Sequence, residues 1–178
     1  RDVLRNLDRD RINDGFERAE LSVLFPGATV ELADLQIEQE KQLDAPLRLI
    51  FQGGIRGAVV AQGGELLMRA ATVPLNVGLG YTALPERKTG YSIPYAPSLD
   101  AEVTIQIAGA KFTGTPSAET IDTPQGSYHR SVEVGAEGLT VRTRATLGTG
   151  VFGPEVYPAL ASLTRKVKAA EDQVIRAR

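Results

Sequence analysis

The chain has no cysteine, no tryptophan, one histidine and one methionine in 178 residues. Without cysteine there is no disulfide framework, no thiolate metal site and no thiol nucleophile, while the redox compartment stays open. One imidazole and scattered carboxylates offer neither the ligand set of a zinc site nor the spacing of a calcium loop. Charge of one sign is missing too. The 20 Lys and Arg and the 22 Asp and Glu are interspersed and leave a net charge of −2, so no basic field exists to gather nucleic acid or anionic lipid. No apolar run approaches the roughly 18 residues of a spanning helix. The start, Arg1-Asp2-Val3, has neither an initiator methionine nor a basic-then-apolar leader. The chain is therefore expected to be a piece of a longer polypeptide, with no nucleic-acid partner and no direct membrane insertion.

What is plentiful is glycine and proline, 18 and 10 residues, lying between alternating segments rather than in one block. That pattern predicts many short strands and turns. The length suits one domain that can bury a core without staples. The expected fold is mainly β: an antiparallel β-sandwich over residues 15–178, preceded by a short helical connector over 1–14 and carrying a long C-terminal helix over 154–177. In the connector, Val3, Leu4, Leu7 and Ile12 make a helical stripe among paired Arg and Asp residues, which has the character of a solvated face.

From Phe16 the period changes to two, with Ala19, Leu21, Val23 and Phe25 on one side. From Thr29 to Ile37 the apolar set shifts parity, which predicts a bulge near Ala33-Asp34. Leu47, Leu49 and Phe51 alternate up to Gly53-Gly54, where the strand should end or bend. Residues 55–61 and 65–71 flank Gln62-Gly63-Gly64 as a hairpin. Residues 73–84 form an irregular crossover, Tyr91 to Tyr95 a short edge strand before Pro97, and Ala101, Val103, Ile105 and Ile107 a clear strand. Lys111 to Gln125 is expected to be turns with one extended stretch. Tyr128, Arg130, Val132 and Val134 then alternate with Ser127, His129, Ser131 and Glu133. After Gly135 to Gly138 turns the chain, Val141 and Ala145 alternate with Arg142 and Arg144, completing a hairpin with one wet face. In the terminal helix, Val156, Leu160, Leu163, Val167, Ala170 and Val174 recur at helical spacing. Their burial, at roughly 1.5–3 kcal/mol for each large side chain, outweighs the tenths of a kcal/mol from Lys168–Glu171 or Lys168–Asp172. A dimeric coiled coil is the other use of that stripe, though it is short for one.

Three constellations could carry chemistry. Gly148-x-Gly150-x-x-Gly153 has dinucleotide-motif spacing, but its strand alternates with Arg142 and Arg144, no second strand follows to bear a ribose-binding acid, and Pro154 removes a cradle amide; a plain turn without cofactor is expected. His129 stands between Ser127 and Ser131 on one strand, where neighbours are too far apart to share a proton, so no catalytic residue is expected. Tyr81, Tyr91 and Tyr95 could line a carbohydrate or peptide groove, although such residues are more often core or rim. With Arg87 they form the candidate interaction surface: Tyr81, Arg87, Tyr91, Tyr95.

The segments Phe25-Pro26-Gly27-Ala28, Asp44-Ala45-Pro46-Leu47, Tyr81 followed by Glu86-Arg87, Gly126-Ser127-Tyr128 and Gly153-Pro154-Glu155-Val156-Tyr157 stand in an order and spacing of their own. In these the chain, from about Phe16 onward, resembles the region after the catalytic core in bacterial transglutaminase-like proteins that begin with an uncharacterised β-sandwich domain. Where that family usually has Leu-Pro-x-Gly, this chain has Ile107-Ala108-Gly109. The resemblance implies a non-catalytic β-sandwich, in a periplasmic or extracellular cell-envelope protein, whose Cys-His-Asp machinery lies upstream. Its partner would be that upstream domain or another envelope protein. An independent carbohydrate- or peptide-binding module is the alternative.

Overall fold

Alternating side chains and glycine-bearing turns produce a mainly β chain of antiparallel sheets, with one α-helix among the described residues, near the C-terminal end. The computed structural model describes residues 28–39, 48–70, 81–95, 98–136 and 138–178. The expected connector of residues 1–14, the strand of residues 16–25 and residues 73–80 of the crossover lie outside the described residues. Contacts divide the chain into two compact units, Arg1–Val60 and Ala61–Arg178.

In the first unit, β1 (Thr29–Glu38) pairs antiparallel with β2 (Arg48–Arg56). The register slips between Leu32 and Asp34, which places the expected bulge at Ala33 and accounts for the change of parity. Of the end or bend expected at Gly53-Gly54, the end does not occur. Gly53 pairs with Leu32 and Gly54 with Glu31, and the strand continues to Arg56. A partner strand supplies the restraint that glycine lacks, so Ile55 belongs to β2 and not to the following hairpin. That hairpin is formed by β3 (Val59–Gln62) and β4 (Glu65–Arg69). Its turn residues Gly63 and Gly64 have φ of +60° and +79°, the left-handed pair that a two-residue type I′ turn requires.

The second unit continues with β5 (Tyr91–Ile93), β6 (Ser98–Ile105), β7 (Phe112–Gly114), β8 (Glu119–Thr123), β9 (Gly126–Gly135), β10 (Gly138–Leu147) and β11 (Gly150–Phe152). A 3-10 turn, Pro154–Val156, leads into α1 (Tyr157–Glu171), and β12 (Val174–Ala177) follows. One four-stranded sheet has the order β6-β10-β9-β8, a second β3-β4-β12-β7, and β11-β5 is a two-stranded ribbon. Gly138 shows why the β9–β10 turn needs glycine: φ is +126°, and a Cβ there would collide with the Ile105 carbonyl.

Register explains the core. The pairs Leu139↔Ile105, Val141↔Val132, Thr143↔Arg130 and Ala145↔Tyr128 set one row of side chains on the inner face of the first sheet. At one end of that row, Leu139 and Val141 pack with Ala70 and Ile175, flanked by Met68 and Phe112 of the second sheet, as in a sandwich. At the other end, Tyr128, Ala145, Leu147 and Ile121 meet Leu160, Leu163 and Val167 of α1, together with Tyr91 and Ile93 of the ribbon. Leu139 and Leu160 are both fully buried, and side chains of this size each contribute roughly 1.5–3 kcal/mol by leaving water.

The terminal helix is shorter than expected. It ends at Glu171, where the amide of Asp172 donates to the Lys168 carbonyl and that of Gln173 to the Ala170 carbonyl. Residues 174–177 form an inner strand of the second sheet instead, Ile175 opposite Met68 and Ala177 opposite Leu66. Pairing on both sides satisfies the backbone of β12, and burying Ile175 and Ala177 favours period two over another helical turn. Val174, expected on the helical stripe, is 40% exposed on the outer face. Lys111 to Gln125 likewise holds two strands, β7 and β8, rather than one extended stretch, and the glycine-rich segment after β10 contains β11. No described helix is long and apolar enough to cross a membrane.

Candidate functional site

Of the four residues singled out as an interaction surface, the structure brings three together. Tyr91, at the start of β5, is 6% exposed and lies in the larger core. The Arg87 guanidinium sits 5.1 Å from the centre of its ring and 5.5 Å from that of Tyr157, and Arg87 Nη2 donates to the Tyr81 carbonyl at 3.4 Å. Phe152 and Tyr157 complete the cluster, the latter edge-on to Tyr91 at 6.1 Å, with its hydroxyl donating to the Leu84 carbonyl. A cation over aromatic faces contributes about 0.5–2 kcal/mol, and here it fastens the 81–90 segment to β5 and α1. Tyr95 stays outside, 67% exposed. Burial pushes the Tyr91 hydroxyl above its usual pKa, and the positive charge of Arg87 partly offsets this. The Tyr91 hydroxyl and Arg87 Nε are buried without a hydrogen-bond partner among the described residues. Phe152 and Tyr157 were missed as members because the sequence places them in a turn and a helix; only the segment Gly153 to Tyr157 pointed there.

The outer face of β6-β10-β9-β8 holds a shallow concavity of about 550 Å³. Asp100, Thr120, His129, Ser131, Arg142 and Arg144 are among its walls. Its charges are matched. Arg144 binds Asp100 through Nε at 3.1 Å and Nη2 at 2.6 Å. Arg142 bridges Glu102 at 2.7 Å and Glu133 at 3.2 Å, and these carboxylates hold its pKa above the usual value. His129 Nε2 lies 2.9 Å from Asp122, while the Ser127 hydroxyl bonds Thr146 at 2.8 Å. Exposed pairs of this kind contribute about 0–1 kcal/mol each.

Arg130 behaves oppositely. It is 3% exposed on the inner face, where Nε and Nη2 donate to the Ser117 carbonyl at 3.0 and 2.8 Å, Nη1 to the Ala170 carbonyl at 2.6 Å and Nη2 also to Gln173 Oε1 at 2.9 Å. One guanidinium thus joins β9, the 115–118 loop, the C-terminal end of α1 and the lead into β12. The negative end of a helix is where a cation is favoured. Burial raises the neighbouring Tyr128 hydroxyl to a pKa of about 12 despite the opposing charge of Arg130.

The glycine motif is not a phosphate loop in shape. Gly150 opens β11 opposite Ile93, and the amide of Gly148 donates to the Gln125 carbonyl. The Glu155 carboxylate lies against Gly153, occupying the place a Cβ would take, and so puts negative charge where a phosphate would approach. Among the described residues no group of three or more His, Cys, Asp or Glu could hold a metal ion.

Residues 71–176 match the family described as "Domain of Unknown Function with solved-structure structure (DUF3858)". The chain belongs to the DUF3858 family. The DUF3858 span includes the Arg87 cluster, Arg130, the concave sheet and α1, whereas the β1–β2 pair precedes it. A crystal structure from Parabacteroides distasonis ATCC 8503, provisionally named a protease, is 18% identical with a TM-score of 0.48, over 62% of this chain and 23% of that one. This chain therefore spans about a quarter of that protein's length. No curated protein matches it.

Proposed function

We propose that this DUF3858 chain is a non-catalytic accessory or scaffolding domain of a larger transglutaminase-like protein of the cell envelope. On this reading it resides in the periplasm or outside the cell and acts through contacts with an upstream domain of its own polypeptide or with another envelope protein. The observation that carries the reading is the placement of its only histidine. His129 lies on an open, wet sheet face, held to Asp122, and the Ser127 hydroxyl beside it is committed to Thr146. A serine nucleophile needs direct contact with its base, and that hydroxyl is turned elsewhere. The association with a transglutaminase-like core rests on the resemblance in order and spacing described above.

The experiment is to assay the purified chain on glutamine-containing peptides, casein and peptidoglycan fragments, beside His129→Ala and Glu155→Gln. No turnover above background is expected. Turnover that survives repurification and disappears in either variant would overturn the reading. A second reading, a carbohydrate- or peptide-binding module, is favoured by the concavity on the outer sheet face, and glycan-array binding lost in Arg144→Ala would support it.

A further inference from the structure

We propose that the outer face of β4, β12 and β7 is a docking surface for an acidic, extended polypeptide segment. The proposal rests on the accessory reading and gives its partner a chemistry. Antiparallel register assembles the face: Val174 stands opposite Arg69 and Arg176 opposite Leu67. Lys111 and Arg178 exchange both backbone hydrogen bonds, at 2.7 and 2.8 Å, so their side chains share a side of the sheet. Arg178 follows Arg176 by two residues and therefore lies on the same outer side. The inner side is taken by Ile175, Met68 and Phe112.

Four exposed cations, Arg69, Lys111, Arg176 and Arg178, thus share this face with Val174, which is 40% exposed, and the partly buried Leu67. Among the described residues the carboxylate on this face is that of Glu65, 3.8 Å from Arg176 and 3.5 Å from the Thr113 hydroxyl. No ion pair forms to Arg69, Lys111 or Arg178 among the described residues. The outer face of the concave sheet differs in that both its arginines, Arg142 and Arg144, already hold carboxylates. The Arg176 stem lies along Gly114, with carbons 3.4–3.5 Å from where a Cβ would stand.

Charge complementarity selects an acidic occupant, and two features select a polypeptide. An apolar centre rimmed by arginine is the pattern of a protein interface, and planar guanidinium forks suit carboxylates. Arg69 and Arg176 are diagonal neighbours on adjacent strands, about 7–8 Å apart. Alternate residues of an extended chain are about 6.8 Å apart, so two carboxylates at i and i+2 can meet both, with Val174 taking their methylene stems.

The test uses a fluorescein-labelled, capped dodecapeptide of alternating glutamate and serine and follows its anisotropy with the purified chain. Saturable binding is expected at 20 mM salt, at least ten-fold weaker at 200 mM. The same loss is expected in the double variant Arg69→Glu/Arg176→Glu, with no change in Arg142→Glu on the other sheet. Lys111→Glu/Arg178→Glu serves as an independent double variant should the first lose its circular-dichroism signature. Absence of saturable binding, binding retained in a folded double variant, or tighter binding to a DNA duplex or to phosphatidylglycerol vesicles would overturn the proposal. Turnover of glutamine peptides would sink the accessory reading without affecting this titration, so the two can fail separately.

Discussion

The two faces of the β6-β10-β9-β8 sheet use the same residue type for opposite ends. Inside, Arg130 is 3% exposed and ties a loop carbonyl, the end of α1 and Gln173 together. Outside, on the adjacent strand, the Arg142 and Arg144 side chains are 51% and 68% exposed and pair with carboxylates of neighbouring strands. A buried donor has no water to return to, so losing its acceptors costs far more than breaking a solvated pair. Arginine on the inner face is therefore architecture, and arginine on the outer face is replaceable.

The largest expected effect lies inside, under the helix. Leu160→Asp should destabilise by several kcal/mol, because a carboxylate would be buried where no partner stands; urea denaturation of the monomeric chain measures it. An unchanged midpoint would mean that α1 does not cover the inner face. At the opposite end of the row, Ile175→Ala should cost about 2–4 kcal/mol. Val174→Ala, one residue earlier but facing outward, should cost less than about 1 kcal/mol. Equal losses would restore the helical assignment of this segment.

Alkaline pH sharpens the same contrast. An unfolded tyrosine titrates near 10, whereas folded Tyr128 titrates at about 12 because it is buried, the positive charge of Arg130 offsetting this only in part. Between these values the unfolded chain releases a proton that the folded one keeps, so stability should fall as pH rises from about 10 to 12. Below pH 10 this group contributes no slope. Tyr128→Phe should flatten the decline in denaturation midpoints measured across that window. The smallest effect belongs outside: Arg142→Ala should leave the urea midpoint nearly unchanged, and more nearly so in high salt. A larger loss would erase the distinction between the faces.

The sequence showed the faces of this sheet better than what crosses them. Because one face is wet, period two is clean in β9 and β10, and even Arg130 could be placed in the row of Tyr128 and Val132. Its role could not, since its acceptors come from Ser117, Ala170 and Gln173, 13 to 43 residues away. The helix end was hidden because Val174 continues a spacing of four from Ala170; the adjacent Ile175, off the helical stripe, was the available sign of a strand. In β8, Ile121 is the single large apolar residue, with Thr and Asp around it, so alternation was too sparse to see. The aromatic cluster was partly legible. Tyr81, Arg87 and Tyr91 were chosen as surface, yet tertiary packing on Phe152 and Tyr157 turns Tyr91 into core.

Hydrogen exchange on Arg130→Met, which keeps the apolar stem and removes the donors, tests most directly whether the inner arginine is the fastening of this fold. The account predicts that protection falls together at the last turn of α1, around Ala170, and at Ile175 in β12, while Val141 and Ala145 in β10 keep theirs. Unchanged protection at Ala170 and Ile175 would contradict it, and would mean that helix and strand hold their places without Arg130.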